Sequence, residues 1–216
     1  MKVCVLMFHD NNISEYGDLN YKINKLYCEK YNFNIIFSNE KIYTDGRHIV
    51  WEKLTLILKH IEQYDYVIWI DSDAFFYIHL NIMDLIKQYV DKNFIFSKDI
   101  DWSCHDGNLI NAGVFIVKNT KQSIEFLNKW AYDEDLFVNH QIPDYWREQS
   151  VLNYMYNTNM LNIQNNSACL NYGDFQHFFV NEYGGDLSKK TYILHLAGSS
   201  KEDRITASTN YYNKIK

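Results

Sequence analysis

No apolar run in this 216-residue chain approaches the roughly 20 residues needed to cross a bilayer; Tyr66–Ile70 is among the longest. The start gives no export signal. Met1-Lys2 leads straight into Val3–Phe8, which is too short for a secretory apolar region and has no small-residue cleavage site behind it. The four cysteines (Cys4, Cys28, Cys104 and Cys169) form no C-x-x-C pair, so neither a zinc knuckle nor a disulfide framework is indicated, and they are expected as reduced, small hydrophobic residues. Positive charge is short as well. The 21 Lys+Arg face 27 Asp+Glu, a net charge of −6, which leaves no footprint for gripping nucleic-acid backbones but leaves room for a divalent cation. No linker, low-complexity block or internal repeat interrupts the chain. A cytoplasmic protein (in the host cytoplasm, if the source is viral) is therefore expected, with the sequons at Asn12 and Asn165 idle.

What remains is the balance of an ordinary folded protein, 47% apolar and 22% charged. The 18 tyrosines, the many Asn, Ile and Lys residues and the single proline share A/T-rich or A/T-poor codons. That bias is most simply read as a property of the genome rather than of function. Val3–Phe8 and Phe33–Phe37 read as buried strands around a helix from about Leu19 to Lys30. Leu54, Ile57, Leu58 and Ile61 fall at i, i+3, i+4 and i+7 and predict a second helix with one apolar face. Tyr66–Ile70 is a third buried strand, ending abruptly in Asp71-Ser72-Asp73. This alternation predicts an α/β fold with a mostly parallel sheet flanked by helices. Further on, Asn93–Ser97, Val114–Val117 and Tyr192–Leu196 read as strands. Ser123–Tyr132, opened by Thr120 or Ser123, and Gln149–Tyr156 read as helices, Asp133–Asp144 as irregular, and the residues after Ser200 as a charged tail.

Chemistry concentrates at Trp69-Ile70-Asp71-Ser72-Asp73-Ala74. Two carboxylates one residue apart at the carboxyl end of a buried strand sit where open α/β sheets bind ligands. Their like charges disfavour each other unless a cation intervenes, and Mn²⁺ or Mg²⁺ shared with a ligand diphosphate would meet that need. His195, bracketed by apolar residues before Ala197-Gly198-Ser199-Ser200, could complete a metal site with Asp71 and Asp73. Asn111-Ala112-Gly113, read alone as a turn before a strand, is small enough for backbone to approach a ligand. Glu148-Gln149 offers an acid and an amide that can hydrogen-bond sugar hydroxyls, although an exposed helix N-terminus would also favour Glu there.

These pieces, in this order, resemble a nucleotide-sugar glycosyltransferase of the GT-A fold, and most closely the galactosyl/xylosyl/mannosyltransferase family that includes yeast α-galactosyltransferases and plant xyloglucan xylosyltransferases. The resemblance rests on Asn24–Tyr31, on Trp51-Glu52-Lys53 and on Trp69–Ala74, which is similar to the family's W-x-D-S-D-A. It continues through Asn111–Thr120 with Trp130, Glu148-Gln149-Ser150 and His195–Gly198. It implies one GT-A domain over 1–216, a nucleotide-binding half to about residue 100 and an acceptor-side half from about 101.

The resemblance also implies roles. Asp71 and Asp73 would address the ribose and the metal, with His195 as the third protein ligand and Mn²⁺ or Mg²⁺ as cofactor. Lys53 would lie near the diphosphate, and Lys201 could reach it from the last loop. Asn111, Gly113, Glu148 and Gln149 would line the donor-sugar and acceptor pocket, and Ser72, Ala112 and Gly198 count with the substrate-binding residues. Against the family's pattern, an N-terminal anchor and stem are not expected, the chain is shorter, and Lys201 stands one residue later, which would fit a soluble bacterial or viral member. The expected partners are a nucleotide sugar, a UDP-sugar first, and a glycan acceptor, with neither nucleic acid nor a membrane span. Retention of configuration is implied, by front-face attack assisted by the departing phosphate. An inverting enzyme would instead need a carboxylate base, for which Glu148 and Asp144 are the candidates. Two rival readings are a phosphatase of the haloacid-dehalogenase type, with Asp71 as nucleophile, and a non-catalytic nucleotide- or carbohydrate-binding module. The first lacks the second acid at Gly185–Lys190.

Overall fold

A computed structural model of the chain describes residues 1–42, 47–99, 110–133, 135–136, 147–178 and 191–216. Its centre is a six-stranded sheet in the order β2-β1-β3-β6-β5-β7, formed by β1 (Val3–Phe8), β2 (Asn34–Ser38), β3 (Tyr66–Ile70), β5 (Phe94–Lys98), β6 (Ile110–Lys118) and β7 (Ser167–Leu170). Only β6 runs against the others, pairing antiparallel with both β3 and β5, so the expectation of a mostly parallel sheet holds. The central strands are buried along their whole length, β1 and β3 without exception, as a sheet covered on both faces requires. β4 (Ala74–Phe76), β9 (Ile193–His195) and β8 (Gln176–Phe178) form a second sheet of three strands in that order.

The helices are α1 (Ser14–Tyr31), α2 (Glu52–His60), α3 (Ile82–Gln88), α4 (Lys121–Tyr132), α5 (Glu148–Asn157), the single turn α6 (Ile163–Asn166) and α7 (Lys201–Ile215). α2 presents the expected apolar face, with Leu54 and Ile57 fully buried and Ile61 continuing that face just past its end. Burial on this scale contributes about 1.5–3 kcal/mol per aliphatic side chain. α4 opens where Thr120 Oγ1 accepts from the Ser123 amide, 3.1 Å away. Among the described residues no helix is long and apolar enough to cross a membrane. Cys4, Cys28 and Cys169 are free thiols; Cys104 lies outside the described residues.

Three expectations need correction. α1 begins at Ser14, five residues before the expected Leu19, because Asp10 caps a short 3₁₀ turn over Asn11–Ile13 that feeds directly into it. Asn111-Ala112-Gly113 is not a turn: β6 starts at Ile110, and this run pairs with β5 from within the sheet. The tail is a helix. Ser200 caps α7 by accepting from the Asp203 amide, with Glu202 and Asp203 in the first turn. Its apolar side packs on the small sheet, where Tyr211 stacks against Phe75.

Candidate active site

Asp71 and Asp73 stand at the joint between the two sheets. Asp71 directly follows β3, and its amide donates to Gly113 O at 2.8 Å, which carries the β3–β6 pairing one residue further. One oxygen of its carboxylate is held from behind, with Trp69 Nε1 donating to Oδ1 at 2.6 Å and Lys53 Nζ lying 3.4 Å from the same atom. Lys53 is only 2% exposed. It also contacts Glu148 Oε1 at 2.6 Å and donates to Ala112 O at 3.0 Å. Burial opposes the Lys53 charge, but Asp71 and Glu148 outweigh it and lift its pKa above that of an ordinary lysine. Burial, reinforced by Asp71, raises Glu148 despite Lys53. One ammonium thus serves two carboxylates.

Asp73 leads into β4 and belongs to the small sheet. Arg204, from α7, lies 3.0 Å from Asp73 Oδ2, while Asp73 Oδ1 is 3.2 Å from His195 Nε2. Burial would raise the Asp73 pKa, but His195 and Arg204 prevail and hold it at about 2. The β4–β9 register places Ala74 opposite His195, so the second carboxylate and the imidazole arrive on neighbouring strands.

The orientation of His195 follows from a chain of hydrogen bonds that starts at a backbone amide. Gly113 N donates to Asn111 Oδ1 at 2.9 Å, and Gln176 Nε2 donates to the same oxygen at 3.2 Å. That leaves Gln176 Oε1 facing His195 Nδ1 at 3.0 Å, so Nδ1 carries a proton and Nε2 is turned towards the carboxylates. A neutral imidazole nitrogen and a carboxylate oxygen are both acceptors. At 3.2 Å something positive, a proton or a cation, belongs between them. The residues fit a metal. One donor atom each from Asp71, Asp73 and His195 lies within 4.8 Å of the others, and two carboxylates with an imidazole suit a divalent cation. Gly113 leaves the space they need: a Cβ there would lie 2.3 Å from His195 Cε1 and 2.9 Å from both His195 Nε2 and Asp71 Oδ2.

A cleft of about 200 Å³ opens beside these groups, running from His9, Asp10 and Ile13 at the end of β1 to Lys53, Asp71 and Asp73. Glu148, 5% exposed, faces Lys53 rather than forming an exposed helix start. Gln149 accepts from the Ala112 amide at 2.8 Å and so holds backbone at the site. Ser72 lines the cleft and its carbonyl accepts from Asn20. Gly198 sits past β9 with a φ of +71°, a turn that glycine adopts without strain. Lys201 is not brought to the carboxylates; it pairs with Glu15 on α1 at 2.9 Å. One turn later, Arg204 contacts Asp73 Oδ2. Asp144 lies outside the described residues. Sequence reasoning placed Trp69 in the motif without giving it a role, and did not single out Gln176 or Arg204. Trp69 was within reach, standing two residues before Asp71 on the same side of the strand, whereas Gln176 and Arg204 meet the site only through tertiary folding.

The profile of the nucleotide-diphospho-sugar transferase family matches residues 21–206. The chain belongs to that family. It is 28% identical over 148 residues to galactomannan galactosyltransferase 1 of Cyamopsis tetragonoloba, a match covering 64% of this chain and 32% of that protein. It is 23% identical over 199 residues to probable glycosyltransferase 7 of Oryza sativa subsp. indica, covering 88% of this chain and 38% of that one. The chain thus spans about a third of the length of these relatives. In fold it is similar to a glycosyltransferase involved in glycosylation of the major capsid of PBCV-1, with a TM-score of 0.77 over 97% of this chain and 100% of the other at 16% identity. It is also similar to the galactosyltransferase LgtC, with a TM-score of 0.53 over 96% and 95% at 13% identity. The fold is that of the GT-A glycosyltransferases.

Proposed function

We propose that the chain is a Mn²⁺- or Mg²⁺-dependent glycosyltransferase that moves a hexose or pentose from a UDP-sugar to a hydroxyl of a glycan acceptor, with retention. The observation that carries this reading is the division of labour around the carboxylates. Trp69 and Lys53 hold one oxygen of Asp71, Arg204 holds one oxygen of Asp73, and Gln176 holds Nδ1 of His195. One donor atom of each side chain lies within 4.8 Å of the others, close enough for a shared cation. When bound, that cation supplies Lewis-acid stabilisation of the departing diphosphate.

Lys53 adds a fixed positive charge beside Asp71, and preorganised charge of this kind is usually the largest catalytic term. Among the described residues, front-face attack fits the site better than inversion. An inverting transfer needs a carboxylate base open to the acceptor hydroxyl, and Glu148 is buried against Lys53 at 2.6 Å. The nucleotide would enter the cleft at the end of β1, with the sugar towards Asn111, Gly113 and Gln149. Galactose is the first sugar to test, since the galactomannan enzyme is named for it.

Incubation with UDP-galactose, UDP-xylose, UDP-glucose or GDP-mannose, with Mn²⁺ or with EDTA, tests the reading by release of free nucleotide. One UDP-sugar should release UDP only with the metal, and proton NMR of the product should show the donor's anomeric configuration. No release from any donor sinks the catalytic reading. Release with inversion sinks the front-face mechanism alone.

A further inference from the structure

The loop that carries Asp71 and Asp73 is held on its far side by side chains of α1 rather than by another strand. β4 pairs with β9 along one edge. Along the other edge lies α1, and Asn24 completes the backbone pairing that a neighbouring strand would provide. Asn24 Nδ2 donates to Ala74 O at 3.1 Å, and Asn24 Oδ1 accepts from the Phe76 amide at 2.9 Å. One carboxamide thus satisfies an acceptor and a donor on the same side of the strand, as a peptide group would.

One turn earlier, Asn20 Nδ2 donates to Ser72 O at 2.8 Å, between the two acidic residues. Two positions after Asn24 plus one more, Tyr27 extends the stripe, with its hydroxyl donating to Leu80 O and accepting from the Ile82 amide, both at 2.8 Å. Residues 20, 24 and 27 share one helix face. Asn20 and Asn24 are wholly buried, where a carboxamide costs stability unless it is bonded; Asn24 bonds through both its nitrogen and its oxygen, Asn20 through its nitrogen. Neither touches the cleft.

We infer that Asn20 and Asn24 are positioning residues: through the backbone of Ser72, Ala74 and Phe76 they fix the spacing of Asp71 and Asp73 and so set the affinity for the divalent cation. This rests on the metal-dependent reading above. The same device recurs on the opposite wall. Asn153 of α5 bonds both the amide and the carbonyl of Ile110 at the start of β6, at 2.7 and 2.9 Å. On α1, unlike α5, the bonds reach Ser72 and Ala74, the residues on either side of Asp73.

The test measures Mn²⁺ affinity by electron paramagnetic resonance, without nucleotide, for wild type, Asn24→Ala, Asn24→Asp and the control Ile163→Val, at a temperature where all are folded. Asn24→Ala should weaken Mn²⁺ binding about tenfold, as expected for outer-shell partners of metal ligands. Asn24→Asp keeps an acceptor for Phe76 but sets an oxygen against Ala74 O, and should weaken binding as well. Ile163→Val, a core lesion beside β7, should leave it unchanged. Amide exchange of Phe76 in metal-free protein should accelerate in Asn24→Ala. Equal Mn²⁺ affinity in wild type and both Asn24 variants overturns the inference alone. Wild type that binds no Mn²⁺ overturns the metal-dependent reading instead, while unchanged exchange at Phe76 counts against the inference in either case.

Discussion

Asp71 and Asp73 are separated by one residue, yet they are built into different parts of the molecule. Asp71 extends β3 of the large sheet and is backed by a buried lysine that also faces Glu148. Asp73 opens the small sheet, and its partners come from β9 and from α7, more than a hundred residues away. The cation behind Asp71 is the drier one, with the Lys53 side chain at 2% exposure against 22% for Arg204, whereas the Asp71 carboxylate itself is more open than Asp73, 33% against 14%. The difference teaches where each half draws its rigidity: one from a buried charge network, the other from the docking of two late elements. Gly113 is where the halves touch.

The sharpest way to break the comparison is Lys53→Met. It leaves Glu148 buried without its cation and should destabilise the fold by about 3–5 kcal/mol in denaturant unfolding. Arg204→Met, which removes a more exposed cation, should cost clearly less. Gly113→Ala strikes both halves together, because its Cβ must displace His195 or Asp71. UDP-sugar turnover should fall about 100-fold, as misplacement on the ångström scale does, with the melting temperature affected far less than in Lys53→Met.

The Asp73 half can also be probed with pH in EDTA. Its carboxyl is depressed from 3.8 to about 2 in the folded protein, so its contribution is present above 3.8 and is lost as pH falls towards 2. That contribution is on the order of 2 kcal/mol. The stability of Asp73→Asn should therefore fall less than that of wild type over this window. Gln176→Leu is the mildest test. It removes the acceptor that orients His195, and should weaken Mn²⁺ binding about tenfold while leaving the Asp71 half intact.

The large sheet was legible because buried strands announce themselves as continuous apolar runs: Val3–Phe8 and Tyr66–Ile70 have the expected bounds. The meeting of Asp71, Asp73 and His195 was legible as well, since all three stand at strand ends. The small sheet was largely hidden. β4 and β8 are three residues each, too short for any periodicity. α7 has a weakly polar face pattern that reads as a tail, although Ser200 followed by Asp203 is a capping signal. The asparagines taught most. Their abundance looks like codon bias, but Asn20, Asn24, Asn111 and Asn153 each bond backbone beside the site. Composition counts residues and cannot distinguish these from the exposed remainder.

The measurement that bears most directly on this account is calorimetric titration of UDP into wild type and Asp73→Ala, each with Mn²⁺ and with EDTA. Micromolar binding should appear only in wild type with Mn²⁺ and vanish in the other three titrations. UDP binding of equal strength in EDTA, or in Asp73→Ala, would contradict the claim that the two halves meet around a shared cation.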